Sequence, residues 1–229
     1  MKGSDDSAKP YHHGSLREAL IRAAHRQICE CGIEKLSIAR LCKALGVSSA
    51  APYRHFDDRD ELIGEVSARG FRELEMATRE AVEAHPAGSV EGLIALGQAY
   101  VRFVASHPEM FHVMWGMTRE KVHSETAFCA GRDAFQVLLD CVRGIQVEKG
   151  LTHLDTRMLA LPLWSSVHGL ATLHVGERLR VADGVDIEES VALATRTFFD
   201  GLEYAAIRDG AKGAAPRGAE AAAAPAPPR

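Results

Sequence analysis

A chain of 229 residues with 46% hydrophobic and 25% charged residues has the composition of a globular protein large enough for one big domain or two modest ones, which excludes global disorder. No apolar run is long enough to span a bilayer, the polar start MKGSDDSAKPYHHG lacks the core of a signal peptide, and a cytoplasmic protein is expected. The net charge of −4 is unevenly spread: residues 1–56 hold nine Lys/Arg against five Asp/Glu, a net of +4, which leaves −8 for the rest and gives a basic head on an acidic body.

In chain order, residues 1–13 read as a flexible leader, although Lys9-Pro10-Tyr11-His12-His13 holds groups able to reach a phosphate backbone or minor groove. Ser15-x-x-Glu18 is a capping-box pattern, and Leu16, Leu20, Ala23, Ala24 and Ile28 share the face of a first helix that Gly32 closes. A second helix starts at Ser37 with Ile38, Leu41 and Leu45 apolar, and stops at Gly46. A third, short one begins at Ser48 or Ser49. There Pro52 falls in the first turn, where its missing N–H has no intrahelical partner to lose. Asp58-x-x-Glu61 then opens a longer helix carrying Leu62, Val66, Phe71 and Leu74.

Two short helices joined at Gly46-Val47-Ser48 have the dimensions of a helix-turn-helix, with the glycine for a positive φ and Val47 to plug the angle. Tyr53, Arg54 and His55 end the second of them with a phenol, a guanidinium and an imidazole, all able to donate to phosphate oxygens, while Phe56 reads as core. The exposed start of that helix, Ser48-Ser49-Ala50-Ala51, offers hydroxyls and methyls but no bidentate base reader, so direct readout is modest and DNA shape and dimerisation carry the rest.

After the His85-Pro86-Ala87-Gly88 break, Val90, Leu93, Ile94, Gly97, Tyr100, Val101 and Val104 mark a helix that His107-Pro108 ends. An apolar piece from Met110 to Met117 follows, then a helix through Phe128, Phe135, Leu138, Leu139, Val142 and Ile145. Two long helices remain, near residues 154–180, interrupted by Pro162, and near 186–207, opened by Asp186-x-x-Glu189. The Ala/Pro-rich stretch 209–229 has little to bury and reads as a disordered tail. The fold class is all-α, roughly nine helices: a three-helix helix-turn-helix domain over 14–62, a connecting helix over 63–85, and a larger helical domain over 86–208.

Residues 15–62 resemble the DNA-binding domain of TetR-type transcriptional regulators through Gly46-Val47-Ser48, Tyr53-Arg54-His55-Phe56 and Arg59-Asp60-Glu61-Leu62. The resemblance implies phosphate contacts from Tyr53, His55 and Arg59, with the start of the recognition helix toward bases. The DNA-facing set is therefore Ser37, Ser48, Ser49, Ala50, Ala51, Tyr53, Arg54, His55 and Arg59. Arg59 stands where lysine is common, which keeps the charge and changes the donor geometry. A second, distant segment, Trp164-Ser165-Ser166-Val167-His168-Gly169, resembles a Trp-x-x-x-His-Gly signature of one C-terminal domain type among these regulators.

The same resemblance implies a homodimer, formed through the helices near 154–180 and 186–207 on a palindromic double-stranded DNA operator, and a small-molecule effector between the helices of the larger domain. Phe103, Phe111, Met114, Trp115, Phe135, Trp164 and His168 form the expected pocket, and they serve equally well as plain core. The expected function is a repressor released by a small apolar or amphipathic effector; the alternatives are an effector-independent activator or architectural protein, or an all-helical carrier or enzyme. No nucleophile, base and orienter stand at telling spacing, no histidine pair makes a metal ligand set, and neither cofactor nor metal is expected. Cys29, Cys31, Cys42, Cys129 and Cys141, odd in number, are expected as reduced thiols.

Overall fold

A computed structural model describes residues 13–116, 124–176 and 184–213. Among them are eight α-helices, α1 His13–Cys31, α2 Ile38–Leu45, α3 Arg59–Glu83, α4 Val90–Ser106, α5 Pro108–Met114, α6 Glu125–Glu148, α7 Thr156–Val175 and α8 Ile187–Gly213, with three-residue 3-10 turns at Ile33–Lys35 and Pro52–Arg54. Most of the leader, the last residues of the tail and residues 177–180 of the expected seventh-helix stretch lie outside the described residues.

Local chemistry sets the helix ends. Ser37, Ser89 and Ser124 each accept a backbone N–H of the first turn of the helix they precede, and Asp58 Oδ1 accepts from Glu61 N at 2.8 Å. The Asp58 box closes one residue earlier than its ideal form, because Glu61 Oε2 accepts from Asp57 N at 2.6 Å rather than from the cap itself. The first helix begins at His13, two residues before the Ser15 expected to cap it. The last runs through Gly213, five residues into the expected tail.

The head is built by α1, α2 and the first turns of α3 around Leu20, Ala24, Ile28, Leu41, Phe56 and Leu62, as the apolar spacing foretells. A ladder of charge binds α1 to α3: Arg17 to Glu65 at 3.0 Å, Arg69 to Glu18 at 3.0 Å, and His25 to Glu73 at 3.4 Å. The head core does not end at residue 62. It continues without interruption into Val101, Val104, Met110 and Phe111 of the body.

In the body, α4 is apolar on nearly every side and is the central helix, packed by α3, α6, α7 and α8. A second cluster joins Leu93 and Leu96 to Val142, Ile145, Leu159, Leu163 and Phe199. The turn between α6 and α7 is tied by buried Gln146, whose amide nitrogen donates to the Leu151 and Leu154 carbonyls while its oxygen accepts from Thr156 Oγ1.

Two glycines are required by geometry. Gly46 closes α2 at φ 66°, and the next residue, Val47, donates back to the Cys42 carbonyl and packs on the head core. Gly88, at φ 71°, touches α6: a Cβ there would lie 2.9 Å from the Gly144 carbonyl oxygen. Alanine at Gly46 meets no atom within 4 Å and is expected to cost only the left-handed penalty, about 1 kcal/mol. Gly88→Ala adds a backbone clash, and denaturant unfolding is expected to show a loss of about 2 kcal/mol or more. Equal losses in the two variants would mean that the α4 entrance shifts freely against α6.

Candidate functional site

The segment after α2 departs from expectation in form. In place of a short α-helix from Ser48, the chain makes one tight turn, with Ala51 N donating to the Ser48 carbonyl, and passes into the 3-10 turn Pro52–Arg54. Pro52 still opens the helical turn, and it is buried, but no side chain caps it, so Ser49 is not an N-cap. Arg54, His55 and Phe56 amides bond back to Ala51 and Pro52 carbonyls, which closes the turn after a single cycle.

This short element sets Ser48, Ser49, Ala50, Tyr53 and Arg54 on the surface, with Ala51 half-buried. Tyr53 is 58% exposed although it is a large aromatic, and Phe56, three residues on, is 3% exposed with the Arg17 guanidinium 5.2 Å from its ring centre. His55 and Arg59 are half-buried and already engaged within the protein. Arg59 Nη2 donates to the Ile33 carbonyl at 2.9 Å, which ties the start of α3 to the turn after α1. Ser37 is half-buried too: its Oγ accepts from Arg40 N and its own N–H donates to Gln27 Oε1. It caps α2 and braces the head.

Some 670 Å³ of cavity lies in the body between α3, α4, α6 and α7, closed on one side by the end of α5. Of the expected pocket residues, Met114, Trp115, Phe135 and Trp164 line it. Phe103, Phe111 and His168 do not, and the reason is packing. Phe111 is fully buried behind Trp115, with ring centres 5.0 Å apart, and Phe103 stacks on His107 at 4.8 Å. His168 sits behind Tyr100 and Trp164, 5.3 Å from the latter's ring.

Tyr100, Trp164 and His168 pack together at the cavity wall. The Tyr100 hydroxyl lies 2.8 Å from His168 Nδ1, and the Trp164 ring centre is 5.3 Å from that of His168. Burial pushes the Tyr100 hydroxyl far above its ordinary range and holds His168 below 6.5, so both are neutral near pH 7.

The sign of the resulting pH dependence follows. A folded-state pKa below the unfolded one means that, as pH falls through about 6.5, the unfolded chain gains a proton that the folded chain refuses. Stability is therefore expected to drop on acidification below that point and to level off once folded His168 protonates. His25, lowered mainly by burial against the opposing pull of Glu73, adds the same sign. Thermal melts between pH 7.5 and 5, run beside His168→Gln, check this; an unchanged slope in the variant would remove His168 from the account.

The pocket residues that the sequence did not single out include a stripe on α3, the expected connector: Ile63, Ser67, Phe71, Leu74 and Thr78 all face the cavity. Their spacing of four, four, three and four is an ordinary buried stripe, and the only hint of a cavity is the two hydroxyls set where a core would take leucine or valine. Five cysteines are present as free thiols, two of them buried. Among the described residues no group of three His, Cys, Asp or Glu side chains is placed to hold a metal ion.

Two family models account for most of this chain. Residues 20–66 match the one described as bacterial regulatory proteins of the tetR family, and residues 93–198 match the tetracyclin repressor-like C-terminal domain. The chain belongs to the TetR family. It is a DNA-binding transcriptional regulator, with the helix-turn-helix in the head and the family's C-terminal domain as the body.

A solved structure of a protein of unknown function from Rhodococcus sp. RHA1 is 33% identical, covers 84% of this chain and 98% of its own, and superimposes with a TM-score of 0.72. The uncharacterized HTH-type transcriptional regulator YobS of Bacillus subtilis strain 168 is 24% identical over 190 residues, 82% of this chain and 93% of that one. The TetR family regulator PfmR of Thermus thermophilus, 21% identical over 78% of this chain and 96% of its own, shares the fold with a TM-score of 0.52. No described helix of this regulator is long and apolar enough to cross a membrane.

Proposed function

We propose that this TetR-family protein is a cytoplasmic, non-enzymatic homodimeric repressor, released from a palindromic operator when a small effector fills the cavity between α3, α4, α6 and α7. The observation that carries the reading is that one helix serves both ends. Arg59 opens α3 directly after the reading segment, and Ile63, one turn later, already lines the cavity, followed by Ser67, Phe71, Leu74 and Thr78. A ligand that moves the cavity wall of α3 thereby moves the head, which the ion pairs to α1 hold on the same helix.

Two recognition segments must lie about 34 Å apart to enter successive major grooves, so an effector that favours a different separation shifts the population off DNA. The proposed division is a head over 14–62, a connector over 63–85 and an effector and dimerisation domain over 86–208. Dimer formation through α7 and α8 is supported by large apolar side chains left exposed there, Met158, Leu161, Leu173, Leu193 and Tyr204. Of the proposed DNA contacts, Ser48, Ser49, Ala50, Tyr53 and Arg54 have the exposure that direct contact needs, whereas Ser37, Ala51, His55 and Arg59 act from half-buried positions.

Fluorescence anisotropy on the protein's own promoter, beside a scrambled duplex and across a salt series, tests the reading. Tight, salt-sensitive, sequence-selective binding is expected, with transcription from that promoter lowered by the protein in vitro. Equal affinity for the scrambled duplex, or raised transcription, would replace the repressor with an architectural protein or an activator.

A further inference from the structure

The cavity's chemistry narrows what it can hold, an inference that rests on reading it as the effector site. Its walls are two aromatic pairs: Phe71 with Trp115, ring centres 5.0 Å apart, and Phe135 with Trp164 at 5.8 Å. Leucine, isoleucine, valine and Met114 side chains fill the intervals. Such surfaces favour flat rings, which stack or meet edge to face with little loss of freedom.

The charge inventory is one-sided. Among the described residues neither aspartate nor glutamate lines the cavity, and the one ionised side chain there is Arg132, whose side chain is 65% exposed and lies 3.6 Å from Asp133. A cation would therefore leave water for a ring-lined interior whose described residues supply no counter-ion and place a guanidinium at the rim, while an anion would meet that guanidinium at the rim and not among the rings.

Three polar side chains of the lining are buried: Ser67, Thr78 and Tyr100. Two of them are already hydrogen-bonded inside the protein. Thr78 Oγ1 donates to the Leu74 and Glu75 carbonyls, and the Tyr100 hydroxyl is paired with His168 Nδ1 at 2.8 Å. Ser67 is 5% exposed and faces the cavity, and among the described residues its hydroxyl has no hydrogen-bond partner. The hydroxyl opens onto the cavity, so a ligand oxygen placed there pairs with it away from bulk solvent, where a hydrogen bond is worth more than at the surface.

We infer that the cavity takes an uncharged aromatic molecule bearing one hydroxyl or carbonyl group, with its rings among Phe71, Trp115, Phe135 and Trp164 and its oxygen on Ser67 Oγ. The protein has a built-in reporter for this. It contains two tryptophans, Trp115 and Trp164, and both line the cavity, so quenching of intrinsic fluorescence reads this site and no other.

The test titrates the full-length protein and Ser67→Ala with 2-naphthol, naphthalene and 2-naphthylmethylammonium, by tryptophan quenching and calorimetry. The expected order is 2-naphthol tightest, naphthalene weaker by about fivefold for the missing hydrogen bond, and the cation weakest. In Ser67→Ala the naphthol should fall to the naphthalene level while naphthalene itself binds unchanged, which also shows that the variant is folded. The inference is overturned if the cation binds as well as the alcohol, if Ser67→Ala keeps the alcohol's advantage, or if none of the three quenches. Adding promoter DNA separates the two readings: 2-naphthol that binds with the expected pattern yet leaves operator affinity untouched would sink the effector role and leave the ligand class standing.

Discussion

The Tyr53→Ala/Arg54→Ala double variant is expected to bind promoter DNA about two to three orders of magnitude more weakly than the parent while melting at the same temperature. Each protomer loses one phenol hydrogen bond and one charge-assisted guanidinium contact to the backbone, and a dimer loses each twice. The log–log salt slope should fall by about 0.9 for every cationic phosphate contact removed. Folding is spared because Tyr53 is 58% exposed and Arg54 lies on the surface, so neither fills the core. Arg59 is the less informative target even though its charge sits near the same face. Its guanidinium holds the Ile33 carbonyl at 2.9 Å, and Arg59→Ala would loosen the head as well as remove a charge. Anisotropy across a salt series, with a thermal melt on the same samples, decides the matter. A double variant that keeps both its affinity and its salt slope would move the DNA interface elsewhere on the molecule.

How much of this is legible in the sequence differs by kind of signal. Stop signals with a single physical cause read correctly: Gly46 is left-handed, Ser37 and Asp58 cap, and Phe56 goes inward while Tyr53 stays out. The recognition segment is legible in place but not in form. Its capping serines and alanines permit an α-helix, yet Pro52 and the early return of Phe56 into the core leave room for one 3-10 turn alone. The pocket is half legible for a different reason. Aromatic residues advertise burial and not what they are buried against, so Phe111 and Trp115, four apart on one helical face, are indistinguishable until the fold puts one behind the other. Tyr100 and His168 are sixty-eight positions apart, and a hydrogen bond over that separation has no local trace.

Phe111→Ala is expected to be the costliest single change in the body, and it distinguishes wall from contents. Phe111 is fully buried, with its ring 5.0 Å from Trp115 and 5.3 Å from His168, so truncation removes a large apolar side chain from a packed site. Changes of this kind cost about 3–5 kcal/mol, and the value depends on how far the neighbours can collapse into the void. Here one neighbour has somewhere to go. Trp115 stands between Phe111 and the cavity, so it can swing back into the space, and the expected cost is near the lower end, about 3 kcal/mol. The same swing enlarges the cavity and moves an indole, so tryptophan emission should change even where the fold survives. Phe128, an aromatic of the same type that also lines the cavity, is 71% exposed at its rim, and Phe128→Ala should alter stability by no more than about 0.5 kcal/mol. Denaturant unfolding of the two variants side by side reads the contrast. If both losses are small, Phe111 is not a structural wall and Trp115 is held in place by the other rings it touches, Phe71, Tyr100 and His168.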